Sequence, residues 1–302
     1  MTGHFGWRSI LVLLLACAGC TRSGSREATT CEVRGPFPRH GLANTEVRPL
    51  ARAANGRDYQ LHIGLPDSFA DEPGRRYPVL YLCDAYWDFA MVKGIAANLL
   101  VDKAVPEILI VGLGYPGDSP NVGRLRRYDL TPTAAKYEGA EFDGPSGHAQ
   151  EFLSVIEHEI IPLVEREYRG DARYRVLAGS SLGGLFTLYA MLARPDLFYG
   201  IVAVSPAAQW ANDWLLDFEA EFHKSGRSLR GRLFVTAAED EVPMILEGAQ
   251  RFDARLRTRD LSGLRYGFRL IEGERHAGTK AEGYNRGLRF AFAPRAADPS
   301  FP

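Results

Sequence analysis

The sequence predicts a single α/β domain in which a mostly parallel sheet is covered by helices on both faces. Two observations predict it. Apolar runs of strand length alternate with longer amphipathic stretches from residue 59 to 292, and no linker, repeat or change of composition divides the series. Most of those runs are apolar without interruption, as strands buried on both faces must be, whereas a sheet with one wet face would alternate. The composition agrees with this reading: 46% of the 302 residues are apolar and 24% charged, the balance of a folded globular protein.

The elements follow in order along the chain. Residues 1–9 carry Arg8, and Ile10 to Ala16 is an apolar run of signal-peptide size. That run is far short of the ~20 residues that a membrane-spanning helix needs. Leu15-Ala16-Cys17-Ala18-Gly19-Cys20 resembles a bacterial lipoprotein signal, with Cys20 or Cys17 as the lipidated residue. Residues 1–20 are thus expected to be a signal peptide and 21–45 a polar tether. The protein is expected to be exported, to the periplasm or cell envelope, and to meet the membrane through the lipid anchor only. The folded domain is expected over 46–293, with a tail at 294–302. Its first strand, Tyr59 to Leu65, alternates and stops at Pro66. Continuous strands follow at 78–82, 108–111, 175–178, 201–204 and 233–235, and a last alternating one at 266–271. Amphipathic helices are expected near 89–102, 147–168, 182–193, 209–223, 242–258 and 280–292, with Pro162 kinking or ending the second. Residues 114–146, rich in Gly and Pro, fit no element and read as a lid or binding loop.

Charge and cysteine content exclude several functions. Lys and Arg (36) against Asp and Glu (37) leave a net charge of −1, so no global field draws in nucleic acid. Four cysteines are too few for a disulfide scaffold, and Cys83, at a strand end, reads as a small buried hydrophobe. No metal or organic cofactor is implied.

The chemistry is concentrated after the strand at 175–178. Gly179-Ser180-Ser181-Leu182-Gly183 fits G-x-S-x-G between a strand and a helix, with Ser181 at the centre. Such a turn is sharp and strained, and side chains two residues either side of the serine would collide, which glycine avoids. The helix N-terminus beneath it favours developing negative charge. In this architecture the order is Ser, acid, His, each at the carboxyl end of a strand. Of seven histidines only His276 lies in a loop just after the last strand. The acid comes from Glu239-Asp240-Glu241, which follows the strand at 233–235. Spacing favours Asp240, with Glu239 as its main rival and Glu241 read as solvated. Arg124, Arg126 and Arg127 in the 114–146 loop either line a site for an anionic ligand or pair with nearby acids.

These residues carry a family resemblance. Tyr77 to Leu82, Val111 to Pro116, Arg127-Tyr128-Asp129-Leu130-Thr131-Pro132, Leu177 to Leu185, Arg194 to Phe198, Val204-Ser205-Pro206 and Arg275 to Gly278 resemble the esterase D-like branch of the α/β-hydrolase superfamily. Within it the chain is most similar to the enterochelin/salmochelin-type trilactone siderophore esterases, over about residues 45–293. The resemblance implies a single-domain α/β-hydrolase fold and hydrolysis of a small-molecule ester through an acyl-enzyme. Ser181 would be the nucleophile, His276 the base and Asp240 the acid, with the N–H groups of Leu182 and Tyr86 holding the oxyanion. The family usually has Asp-Gly where this chain has Asp84-Ala85, which bears on oxyanion geometry because alanine reaches positive φ less readily. Gln209 stands where relatives often carry a second aromatic beside Trp210, a candidate substrate-binding residue with Arg124 and Arg127. Carbohydrate (feruloyl or acetyl) esterases and acyltransferases of the mycolyl-transfer type would share the elbow. A non-catalytic binding lipoprotein would have no reason to keep all three catalytic groups.

Overall fold

The computed structural model describes residues 41–117, 121–135 and 144–293. The expected signal peptide with Cys17 and Cys20, the expected tether as far as residue 40, parts of the 114–146 connection and the expected tail at 294–302 lie outside them. Eight strands form one sheet: β1 (Thr45–Leu50), β2 (Tyr59–Gly64), β3 (Tyr77–Leu82), β4 (Leu109–Gly114), β5 (Gly170–Ser180), β6 (Gly200–Val204), β7 (Gly231–Ala238) and β8 (Leu264–Ile271). Their order is β1-β2-β4-β3-β5-β6-β7-β8. The strands from β3 to β8 pair in parallel, while β2 runs antiparallel to both β1 and β4. The α-helices are α1 (Ala85–Val101), α2 (Val122–Leu130), α3 (Ala149–Val155), α4 (Ile161–Glu167), α5 (Leu182–Ala193), α6 (Trp210–Lys224), α7 (Pro243–Leu256) and α8 (Thr279–Phe292).

The continuous apolar runs feed two cores, because successive side chains of a strand point to opposite faces. Leu80, Leu82, Ile110, Val176, Ala178, Val202 and Val204 pack with Phe89 and Val92 of α1 and with Tyr284 and Leu288 of α8. Their neighbours Val79, Tyr81, Val111, Leu177, Ile201, Ala203, Leu233 and Val235 pack on the other face with Leu185, Phe186 and Leu188 of α5 and Phe252 of α7. Burying each of the Val, Leu, Ile and Phe side chains among them contributes roughly 1.5–3 kcal/mol. Both faces are therefore dry, and Cys83 is a fully buried free thiol. The chain lays β4 on one side of β3 and β5 on the other. In an open parallel sheet that reversal leaves a crevice at the carboxyl ends of the strands, where ligands bind.

Three features differ from expectation. β1 is a strand at the edge of the sheet, where the sequence shows only a half-polar run. The helical stretch from Ala149 to Glu167 continues past Pro162, because residues Ile156–Ile160 form a π-helical turn. A wider turn beside proline accommodates the missing N–H without ending the helix. The third is α2, which lies inside the segment read as irregular. Asn121 caps it, its side-chain oxygen accepting the Arg124 N–H at 3.1 Å.

A buried carboxylate ties α2 to the sheet. The Tyr59 hydroxyl donates to Asp129 at 3.2 Å, and Arg57 donates to the other carboxylate oxygen at 3.3 Å. Burial pushes the Asp129 carboxyl up, to about 6, against the pull of Arg57 and of the Tyr115 and Tyr59 hydroxyls. The folded protein thus holds this proton where the unfolded chain, near 3.8, has released it. Stability from this group is fully present below about pH 4 and is lost as pH rises through about 6. Wild type should lose about 3 kcal/mol relative to Asp129→Asn between pH 4 and 7, at 1.36 kcal/mol per unit, and nothing more above it. Urea melts of both proteins across that range measure the difference; parallel curves would show that Asp129 does not titrate there.

Candidate active site

Ser181 joins β5 to α5 with φ 57° and ψ −118°, a conformation that costs a non-glycine residue about 1–3 kcal/mol and survives only where its surroundings fix it. They do so here through the backbone. The Ser181 N–H donates to Val204 O at 3.0 Å, and its carbonyl accepts the N–H groups of Leu185 and Ala207 at 2.9 and 3.0 Å. The flanking glycines are required by contact. A Cβ on Gly179 would lie 2.6 Å from the Gly183 carbonyl, and one on Gly183 would lie 2.8 Å from Asp84 Oδ2.

Leu182 opens α5 and Tyr86 is the second residue of α1, so the N–H of each has no intrahelical acceptor. Both helices begin at carboxyl ends of strands, β5 and β3, that are neighbours in the sheet. The left-handed residue of the β3–α1 turn is Asp84, with φ 57° and ψ 40°, while Ala85 is already helical. The alanine that replaces the family's usual glycine therefore meets no positive φ and does not disturb this turn.

His276 lies in the β8–α8 connection, partly exposed, and its Nδ1 is 2.9 Å from Oε1 of Glu241. This corrects the expectation that Asp240 orients the histidine. Asp240 is exposed, and its backbone N–H donates to Glu274 O at 2.9 Å, which turns the side chain outward. Glu239 is exposed as well, and its Oε2 accepts the Gly273 N–H at 2.9 Å. Only Glu241 points inward, with its side chain fully buried. Burial pushes the Glu241 carboxyl up. Hydrogen bonds from His276 and the Val242 N–H outweigh that effect and hold it below the usual carboxylate range. An ionised carboxylate can only accept, so the proton of this bond sits on His276 Nδ1, and in the neutral ring Nε2 is then the acceptor.

Ser205 stands near the acid, at the end of the neighbouring strand. It follows β6 with φ 40°, is buried, and its hydroxyl oxygen accepts the Ala238 N–H at 3.3 Å. Sequence reasoning missed both Ser205 and Glu241. The only signal for the first was its place in Val204-Ser205-Pro206.

The candidate substrate residues fall in different places. Arg124 is exposed at the start of α2, whereas Arg127 is buried and does not face open solvent. Trp210 is buried too, and its Nε1 donates to Thr133 O at 2.8 Å. That bond ties the indole to the segment after α2. Among the described residues no group of three or more His, Cys, Asp or Glu could hold a metal ion.

Comparison with known proteins gives the chain a family. The Esterase family model, described as "Putative esterase", matches residues 53–243, a span that includes Ser181 and Glu241 and stops short of His276. The chain is 29% identical to ferri-bacillibactin esterase BesA of Bacillus subtilis over 265 residues, covering 84% of this chain and 91% of that protein. It is 33% identical to the siderophore enterobactin esterase of Emericella nidulans, over 57% of this chain and 60% of the relative's length. Among solved structures, the BES protein from Bacillus cereus superimposes with a TM-score of 0.77 at 27% identity, covering 86% of this chain and all of that one. An IroE-like serine hydrolase from Shewanella oneidensis shares the fold, with a TM-score of 0.73 at 23% identity over 82% of this chain and 80% of its own. The chain therefore belongs to the esterase family, and it is an ester hydrolase built on the α/β-hydrolase fold.

Proposed function

We propose that the protein is a serine esterase that opens trilactone siderophores, with Ser181 as nucleophile, His276 as base and Glu241 as the acid that orients it. The observation that carries the chemistry is the strained Ser181 between Gly179 and Gly183, combined with a histidine whose Nδ1 is held by a buried carboxylate. In this reading the Ser181 hydroxyl oxygen attacks the ester carbonyl carbon while its proton passes to His276 Nε2. The negative oxygen of the tetrahedral intermediate is held by the N–H groups of Leu182 and Tyr86, each worth roughly 3 kcal/mol. Collapse breaks the ester C–O bond, and His276 returns the proton to the leaving alcohol. Water, deprotonated by the same imidazole, then releases the acid and restores Ser181. Glu241 stays ionised and stabilises the imidazolium at each stage.

The siderophore substrate is supported by relatives whose named substrates are ferri-bacillibactin, salmochelin and enterobactin. Tyr86 and Trp87, about half exposed where α1 begins, offer aromatic surface at the rim of the same turn. With the leader over residues 1–20, the same reading places the enzyme in the cell envelope. Purified protein should convert ferri-bacillibactin or enterobactin to linear ester fragments, followed by mass spectrometry. A kcat/KM at least ~10-fold higher on a feruloyl or acetylated sugar ester would overturn the siderophore assignment in favour of a carbohydrate esterase. An ester formed with an added alcohol, in place of the free acid, would point to acyl transfer.

A further inference from the structure

We propose that Arg126 is a positioning residue for the backbone that holds the oxyanion, acting through Asp84. The inference rests on the reading of Ser181 as the reaction centre and extends it to a group with no contact to the reacting atoms. Arg126 projects from α2, and its Nε and Nη2 donate to Oδ1 and Oδ2 of Asp84 at 2.7 and 2.8 Å. The same Nη2 reaches Ser180 O at 3.3 Å. One guanidinium thus joins the two segments that supply the proposed oxyanion donors: Asp84 is two residues before Tyr86, and Ser180 two before Leu182. Asp84 is itself a left-handed non-glycine residue, a conformation that persists only when its surroundings determine it.

Charge gives the pairing a second consequence. The Asp84 side chain is 1% exposed, and its Oδ2 lies 2.8 Å from where a Cβ on Gly183 would stand. A bare carboxylate wedged against the elbow would oppose negative charge growing on a substrate oxygen beside it. A bidentate guanidinium cancels that field while keeping the carboxylate in place. On the far side of the same turn, Lys280 pairs with the buried Asp88 at 2.8 Å, so both carboxylates at the start of α1 are neutralised. Arg126 and Lys280 flank the Trp87 ring at 5.5 and 5.9 Å. Arg126 is therefore already occupied, which argues against its serving as a free cation for an anionic substrate.

The test uses a neutral and an anionic short-chain aryl ester, with a fluorophosphonate to count competent serines. Arg126→Met should lower kcat by ~10²-fold per labelled site with KM within ~3-fold. Adding Asp84→Asn to that variant should recover ~10-fold, because the uncompensated charge is then gone. A purely structural role would lower the number of labelled sites but leave kcat per site unchanged, and that result would overturn the proposal. So would a rise in KM confined to anionic esters, which would mean that Arg126 binds substrate. Should Arg126→Met fail to fold, Arg126→Lys decides: it keeps the charge but not the two-pronged bond, so kcat should fall ~10-fold at unchanged KM, and wild-type kcat would overturn the idea. If wild type and Ser181→Ala hydrolyse the ester equally, it is the assignment of Ser181 that fails, not the role of Arg126.

Discussion

Ser181→Ala is expected to lower turnover of aryl and siderophore esters by at least ~10⁴-fold, since removing the nucleophile of subtilisin costs about 10⁶. The loss should come without unfolding. Ser181 is held through its backbone, and alanine keeps every one of those bonds as well as the same φ of 57°. Its melting temperature should therefore stay within a few degrees of wild type. Ser180→Ala is the control that separates the two adjacent serines. Ser180 ends β5, is 2% exposed and sits in register with Val204 of β6, so its hydroxyl faces packed protein instead of substrate. That variant should retain most activity, and a fluorophosphonate should label Ser181 alone in wild type. If Ser181→Ala turns over at the wild-type rate, the nucleophile has been misassigned and the acyl-enzyme route falls with it.

Much of this arrangement can be read from sequence because a few residues have only one physical use. Strands covered on both faces show as unbroken apolar runs, which places β3 to β7 and marks the sheet as mostly parallel, though not the order of its strands. Gly179 and Gly183 mark the elbow because any Cβ there collides with backbone or with Asp84. His276 stands out because position after the last strand eliminates the other six histidines. What remained hidden depends on side-chain direction. β1 carries Glu46, Arg48 and Pro49 and buries little, so its pairing with β2 has almost no hydrophobic signature. Arg124, Arg126 and Arg127 look alike in a string. On a helix that advances about 100° per residue they diverge: one is exposed, one is buried, and one turns to Asp84. The three adjacent acids pose the same problem in a turn, where two backbone bonds decide it. The N–H groups of Glu239 and Asp240 donate to Ile271 O and Glu274 O, which leaves Glu241 as the residue that points inward.

That geometry sets the second large effect. Glu241→Gln should lower kcat by ~10² to 10⁴-fold, the upper figure being the effect of the matching Asp→Asn change in a serine protease. The mechanism is a change of tautomer. A glutamine amide can donate to His276 Nδ1, which moves the ring proton to Nε2 and leaves no lone pair to take the Ser181 proton. The variant also loses the negative charge that offsets the imidazolium, so both steps that pass through the protonated ring slow together. Asp240→Asn and Glu239→Gln should each stay within a few-fold of wild type. Asp240 contributes its backbone, and the Glu239 acceptor for Gly273 N–H survives as an amide oxygen. Acid pH should mimic the Glu241 change. Its carboxyl is held below the usual range in the folded protein, so what its ionised form contributes is present at neutral pH and fades only as pH falls through that lowered value. The contrast is read in kcat at pH 8 for the three single variants. A crippled Asp240→Asn beside a healthy Glu241→Gln would mean that the working enzyme uses the other carboxylate. Full activity in all three would mean that Ser181 and His276 act as a dyad, with the buried Glu241 serving only to hold the β7–α7 turn.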